Sequence, residues 1–177
     1  MEAAPYLSPP HNAITMQLLT HEQIAAKITR LAMEILERNT DQDELYIIGI
    51  NNRGMELARR LLEGLRTLSA APMHLRQLRI NPRTPLEPGP VLEGEVADLA
   101  GKAVLVVDDV ANTGRTLFYA LRPLQAIQPA KIEVAVLVDR KHKTWPIYVT
   151  YRGMDLSTTI GDNVLVNFGE EDVAVLE

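Results

Sequence analysis

VLVVDDVANTGRTL, residues 104–117, is the stretch that decides how this chain is read. Ala103 to Val107 is a continuous apolar run, rich in β-branched residues, and it predicts a parallel strand buried on both faces. The run ends at two adjacent carboxylates, Asp108 and Asp109. A turn through Asn112, Thr113 and Gly114 follows, and a helix is expected from about Thr113 to Ala126. A parallel strand delivers its C-terminal end to the sheet edge where open α/β folds bind ligands. The turn from Ala111 to Thr116 offers backbone N–H groups, two hydroxyls and a cation, and a helix N-terminus favours a phosphate. The two acids suit ribose hydroxyls or a Mg²⁺ ion held through water. Together the stretch reads as a grip for a phosphorylated ribose.

Other readings of the same residues exist. An acid pair followed by Thr-Gly can be helix capping and turn chemistry alone. A receiver domain also ends a strand in acids, but near its start, whereas this pair lies past the middle. The signature G-x-x-x-x-G-K-[ST] of a P-loop enzyme is absent.

Working outward, 177 residues with 46% hydrophobic and 23% charged side chains suit one ordinary globule. The expected division is a flexible tail over 1–15 and a single domain over 16–177. With no cysteine, a disulfide framework, a thiolate metal site and a catalytic thiol are all excluded. No apolar run approaches a membrane span and MEAAPYLSPPH lacks a signal peptide's pattern, so a cytoplasmic protein without membrane contact is expected. A net charge of −5 argues against a surface built wholly for nucleic acid, though not against a local basic patch.

Thr20 and Gln23 have capping-box spacing, and Ile24, Ile28, Leu31, Ile35 and Leu36 follow with helical period, so a helix should run to about Asn39–Asp41. Leu45 to Ile50 is a second buried strand. It enters a turn, Asn51-Asn52-Arg53-Gly54, and then a helix with Met55, Leu57, Ala58, Leu61, Leu62 and Leu65 inside. Met73 to Ile80 is a looser strand. Asn81 to Gly94 holds four prolines and two glycines without periodicity, a long connection of the kind that often serves as a lid. Pro123 should stop or kink the helix after Gly114 near Leu121. Lys131 to Val138 is a further strand that ends at Asp139-Arg140, followed by the basic cluster Arg140, Lys141, His142 and Lys143. Ile147 to Tyr151 alternates like an edge strand, and Val164–Phe168 and Val173–Leu176 finish a small β region.

VVDDVANTGRT resembles the phosphoribosyl diphosphate (PRPP) binding motif of type I phosphoribosyltransferases. GINNRG at Gly49–Gly54, LVDRKHKTWPI at Leu137–Ile147 and VLVNF at Val164–Phe168 extend the likeness to the PyrR-type regulators of pyrimidine operons, which are also uracil phosphoribosyltransferases. The resemblance covers about Leu18 to Glu177. It implies an α/β fold with a mainly parallel central sheet, helices on both faces, and a C-terminal β-rich hood over the base. It also implies a Mg²⁺-dependent nucleobase phosphoribosyltransferase, a homodimer, and PRPP with a nucleobase or nucleotide as ligands.

The resemblance assigns roles residue by residue. Asp108 and Asp109 act at the ribose and hold Mg²⁺ through water, and Ala111, Asn112, Thr113, Gly114, Arg115 and Thr116 bind the 5′-phosphate. Asn51, Asn52, Arg53 and Gly54 take the pyrophosphate, with Arg79 and Arg83 as catalytic cations from the lid. Val138, Asp139 and Tyr151 sit beside the base, Asp139 alternatively being a salt-bridge partner and Tyr151 a packing residue. Arg140, Lys141, His142 and Lys143 are either a solvated turn or contacts to mRNA. Two departures stand out: PyrR-type proteins tend to carry Lys then Thr at Asn51 and Asn52, and the lid here is INPRTPLEPGP. Uracil is the favoured acceptor. The alternatives are a hypoxanthine/guanine enzyme, or a PRPP- or nucleotide-binding regulator with little catalysis. For purines, Lys131 matches the lysine used on the 6-oxo group, but Asn112 replaces the aspartate near the ring and an amide is no general base.

Overall fold

A computed structural model describes residues 15–157 and 163–177. The tail expected over 1–15 falls, but for Thr15, outside them. In chain order the elements are β1 (Met16–Leu19), α1 (His21–Glu37), β2 (Leu45–Ile50), α2 (Asn51–Leu68), β3 (Met73–Arg79), β4 (Val91–Leu92), β5 (Ala103–Ala111), α3 (Arg115–Ala120), β6 (Lys131–Arg140), β7 (Tyr151–Leu156), β8 (Val164–Asn167) and β9 (Val173–Leu176). Short 3₁₀ turns cover Val96–Leu99 and Arg122–Ala126.

Six strands form one sheet in the order β4-β3-β2-β5-β6-β7, parallel throughout except for the β3–β4 pair. Leu45–Ile50 and the runs Ala103–Val107 and Val134–Val138 carry no charged residue because both faces of the sheet are covered there. Ile47, Leu105 and Leu137 face α1 and α2 through Leu31, Ile35, Leu57, Leu61 and Leu65. Ile48, Val106 and Val136 face the other way, onto Leu99, Leu117, Ala120 and Leu124. Burying each such side chain stabilises the fold by roughly 1.5–3 kcal/mol. The expected α/β architecture is present. Its second face is covered by one six-residue helix and 3₁₀ turns, since α3 stops at Ala120 and Pro123 sits in the turn that follows.

Helix α1 begins on the capping box: Gln23 N–H donates to Thr20 Oγ1 (3.3 Å) and Thr20 N–H to Gln23 Oε1 (2.9 Å). The hood is a second, antiparallel sheet, β1-β9-β8. Its C-terminal strands were expected; β1 was not, because four residues beside the tail carry no strand signal of their own. Asp172, almost fully buried, ties the hood to both long helices: its carboxylate meets Arg60 of α2 and lies 3.4 Å from His21 Nδ1.

Three boundaries differ from the sequence reading. Asn51 to Gly54 is not a separate turn but the first turn of α2, entered directly from β2. Asn51 makes the change of direction with φ 50°, a left-handed conformation that asparagine tolerates better than most residues. The excursion after β3 is an arm closed at its base, where Val91 and Leu92 pair back onto Arg79 and Leu78. The last parallel strand starts at Tyr151 rather than ending there, because residues 144–147 instead wrap the turn before α3: Thr144 and Trp145 both donate N–H to Thr113 O at 3.1 Å.

Candidate active site

The C-terminal ends of β2, β3 and β5 open onto one cleft of about 860 Å³. Its walls are Asn51, Asn52 and Arg53 from α2, Arg79 at the end of β3, Pro82 and Arg83 from the arm, the acid pair with Val110, Asn112 and Thr116, and Asn163–Leu165 of the hood. A polar pocket of about 50 Å³ adjoins it, bounded by Asp108 and the whole turn from Val110 to Leu117. An apolar groove of about 380 Å³ between α1 and α2 lies away from these acids and cations.

Two glycines shape the cleft. A Cβ on Gly54 would sit 2.6 Å from Val107 O and 3.2 Å from Asp108 Oδ1, so the close approach of α2 to the end of β5 depends on its absence. Gly114 adopts φ 84° just before α3, with Trp145 O, Ile147 and Lys143 packed behind it. Both positions therefore bring backbone where a side chain would block it.

Both acids are buried, and burial pushes both carboxyls above the ordinary carboxylate range. The neighbouring charge of Asp109 raises Asp108 further, while Arg53 pulls each down. Asp109 N–H donates to Asp108 Oδ1 at 3.0 Å. No salt bridge among the described residues neutralises either group. Such carboxylates are well suited to accept hydroxyl hydrogen bonds or to face a cation.

The turn from Ala111 to Thr116 is braced from outside the cleft. Lys143 Nζ donates to Ala111 O (2.9 Å) and Arg140 O (2.6 Å) and pairs with the Asp139 carboxylate. Arg140 donates to Asn112 Oδ1 at 3.1 Å. The basic cluster is thus split: Arg140 is buried and Lys143 half-buried against the turn, while Lys141 and His142 are exposed.

Several expected base contacts lie elsewhere. Val138 and Tyr151 are fully buried, and neither they nor Asp139 line the cleft. Tyr151 Oη accepts from Asn39 Nδ2 at 3.2 Å, and burial with the Glu133 carboxylate nearby pushes its phenol well up. It is a packing residue, because its side chain turns to the α1 face of β7. Asp139 is already engaged by Lys143, with Arg152 3.7 Å away. Lys131 starts β6, at the opposite edge of the sheet, and donates to Arg38 O at 2.8 Å, so it cannot serve a purine in this cleft. On the hood side the cleft is lined by Asn163, Val164 and Leu165 instead. The apolar pattern of Val164–Phe168 marked a strand but could not show which of its residues would reach a cleft built from segments far earlier in the chain.

Residues 15–172 match the phosphoribosyl transferase domain. The bifunctional protein PyrR of Lactococcus lactis subsp. cremoris is 37% identical over 147 residues, covering 82% of this chain and 85% of that protein. The bifunctional protein PyrR of Bacillus velezensis is 33% identical, covering 88% and 91%. A pyrimidine operon regulatory protein of Lactococcus lactis subsp. lactis matches at 37%, over the same shares as the first. Among solved structures, a hypoxanthine phosphoribosyl transferase of Trypanosoma cruzi superposes with a TM-score of 0.73 at 19% identity, over 92% of this chain and 91% of its own. A hypoxanthine-guanine phosphoribosyltransferase of Bacillus anthracis gives 0.67 at 18%, over 79% and 81%. At these identities the structural likeness is one of fold.

Proposed function

The chain belongs to the phosphoribosyl transferase family, alongside the PyrR proteins, and on that footing we propose that it moves ribose 5-phosphate from PRPP to uracil with release of pyrophosphate. The observation that carries this reading is the meeting, in one cleft and the pocket beside it, of an acid pair without a salt bridge among the described residues, a polar turn and three arginines from α2, β3 and the arm.

The chemistry asks for that combination. Glycosyl transfer of this kind passes through an oxocarbenium-like state, positive on the ribose and negative on the departing diphosphate. In the proposed arrangement the turn from Ala111 to Thr116 fixes the 5′-phosphate, while Asp108 and Asp109 accept the ribose hydroxyls and face the developing positive charge. Arg53, Arg79 and Arg83 offset charge on the leaving diphosphate. The hood over the opposite wall excludes water, which would otherwise intercept the sugar.

The two carboxylates also suit Mg²⁺. Magnesium is usually held by one or two carboxylates plus substrate phosphates and water, and no group of three or more His, Cys, Asp or Glu among the described residues forms a complete cage. Asp108 and Asp109 would hold it through water. Bound there, it supplies charge neutralisation for the diphosphate.

Uracil is preferred over a purine because relatives are named as pyrimidine regulators, Asn112 offers no base and Lys131 is at the wrong edge. Those names also favour a second role as a nucleotide-responsive regulator that binds mRNA. Lys141 and His142 are the members of the basic cluster exposed for phosphate contacts, and such binding should weaken steeply with salt. A homodimer in the cytoplasm completes the proposal; no described helix is long and apolar enough to cross a membrane.

Pyrophosphate release from PRPP and Mg²⁺, with uracil, hypoxanthine and guanine offered separately, tests the reading. Turnover with uracil is expected. Turnover with a purine alone would overturn the choice of base, and binding of PRPP without turnover would leave the regulator.

A further inference from the structure

Asn51 stands where the pyrophosphate loop was expected to present a ligand, but its side-chain and main-chain oxygens are committed elsewhere. Its Oδ1 accepts the N–H of Ile80 at 2.9 Å, and its carbonyl accepts from Gln77 Nε2 at 3.0 Å. The other end of that Gln77 amide, Oε1, accepts from Arg79 at 2.9 Å. One continuous chain of hydrogen bonds thus runs from the first turn of α2, through Gln77, to a cleft arginine, and from the same turn to the root of the arm at Ile80. Asn51 holds a positive φ to make both bonds, at the point where β2 ends level with Leu78 of β3. Non-glycine residues kept in that region tend to mark functional constraint.

Resting on the phosphoribosyl transfer reading, we propose that Asn51 and Gln77 are positioning residues that couple the diphosphate-binding turn Asn52–Gly54 to Arg79 at the end of β3 and to the arm carrying Arg83. The chain acts by geometry and not by contact with the ligand. Asn51 sets the direction in which Asn52 and Arg53 enter the cleft. Gln77 parks Arg79 beside that turn, so its guanidinium is close to where a diphosphate arrives. Ile80, fastened to Asn51, fixes the base of the arm from which Arg83 extends. A ligand with a diphosphate engages both sides of this clasp; a sugar phosphate without one engages neither.

That difference supplies the test. Asn51→Gly keeps the backbone conformation and deletes the side-chain bond; Gln77→Ala deletes the other branch. PRPP with Mg²⁺ and ribose 5-phosphate are titrated into each, and amide exchange is followed at Ile80. We expect PRPP to weaken by about five- to tenfold in both variants, with ribose 5-phosphate changed by less than about twofold. Ile80 exchange should quicken in Asn51→Gly and return to the parent rate in Asn51→Asp, which restores the acceptor. Equal weakening of both ligands, or an unchanged PRPP affinity with unchanged exchange, would overturn the coupling. Should Asn51→Gly fail to fold, Gln77→Ala decides on the same ligand pair. A parent protein that binds ribose 5-phosphate but not PRPP would defeat this proposal and the transfer reading together, whereas loss of coupling alone would leave the transfer reading standing.

Discussion

Strands β5 and β6 lie side by side and parallel, and each carries aspartate near its C-terminal end. Their ends behave as opposites. Asp108 and Asp109 on β5 are buried without a salt bridge among the described residues and line the cleft, with Arg53 acting on both from across it. Asp139 on β6 is buried too, but the loop after it folds back and places Lys143 on its carboxylate. The same Lys143 then supports Ala111 O at the end of the neighbouring strand. A strand-end acid is therefore not a site by virtue of position. Whether the following loop returns a cation decides whether the charge is spent on structure or kept for a ligand.

The largest test of this contrast is on activity. Asp108→Asn with Asp109→Asn should lower turnover by roughly a thousandfold, the scale of losing positioned charge in a site, whereas Asp139→Asn should cost less than about tenfold. Steady-state pyrophosphate release measures both, and the reverse ranking would break the comparison.

Stability should divide the other way. Lys143→Met keeps the apolar stem but, among the described residues, leaves the Asp139 carboxylate with Arg152 at 3.7 Å as its ion-pair partner. Because the pair is largely but not wholly buried, a loss of about 2–3 kcal/mol is expected. Thermal unfolding should show it as a fall of roughly 5–10 °C.

Asp108→Asn should do the opposite in chelator-containing buffer, raising Tm by about 2–4 °C near neutral pH. An amide oxygen still accepts the Asp109 N–H, and a costly buried charge is gone. The sign with pH follows from the upward shift of this carboxyl. The folded state keeps the Asp108 proton to a higher pH than the unfolded chain does, so the parent loses stability as pH rises from the unfolded value through the raised folded one. The gain from Asn should shrink as pH falls through the raised folded value and vanish below the unfolded one. A gain that grows on acidification would show that Asp108 is stabilised as an anion. The smallest effect is expected for Lys141→Ala with His142→Ala, within about 0.5 kcal/mol in denaturant unfolding, as for exposed positions generally.

Much of this was legible because it is local. The apolar run, acid pair, turn and glycine of Val104–Leu117 follow one another in sequence, and backbone sterics alone carry the strand into the turn. The Thr20–Gln23 box and the stop near Pro123 are equally short-range. What escaped depends on distant packing. Asp139 looked like Asp108 until the path of residues 141–147 was known. Tyr151 has an aromatic's ambiguity, and only the face of β7 it occupies makes it core. Lys131 matched a purine-enzyme lysine by its neighbours, yet the direction of β6 puts it at the far edge. The four residues of β1 gain their strand from pairing with β9, at the other end of the chain. Asn51 read as loop because no pattern announces a strand that enters a helix without a connection.

The central claim is that the end of β5, and not that of β6, binds the sugar phosphate. Calorimetric titration of PRPP with Mg²⁺ into the parent, Asp108→Asn/Asp109→Asn and Asp139→Asn proteins tests it most directly. The account predicts binding to the parent, retention in Asp139→Asn and loss in the double variant. Binding that survives in the double variant and disappears in Asp139→Asn would contradict it.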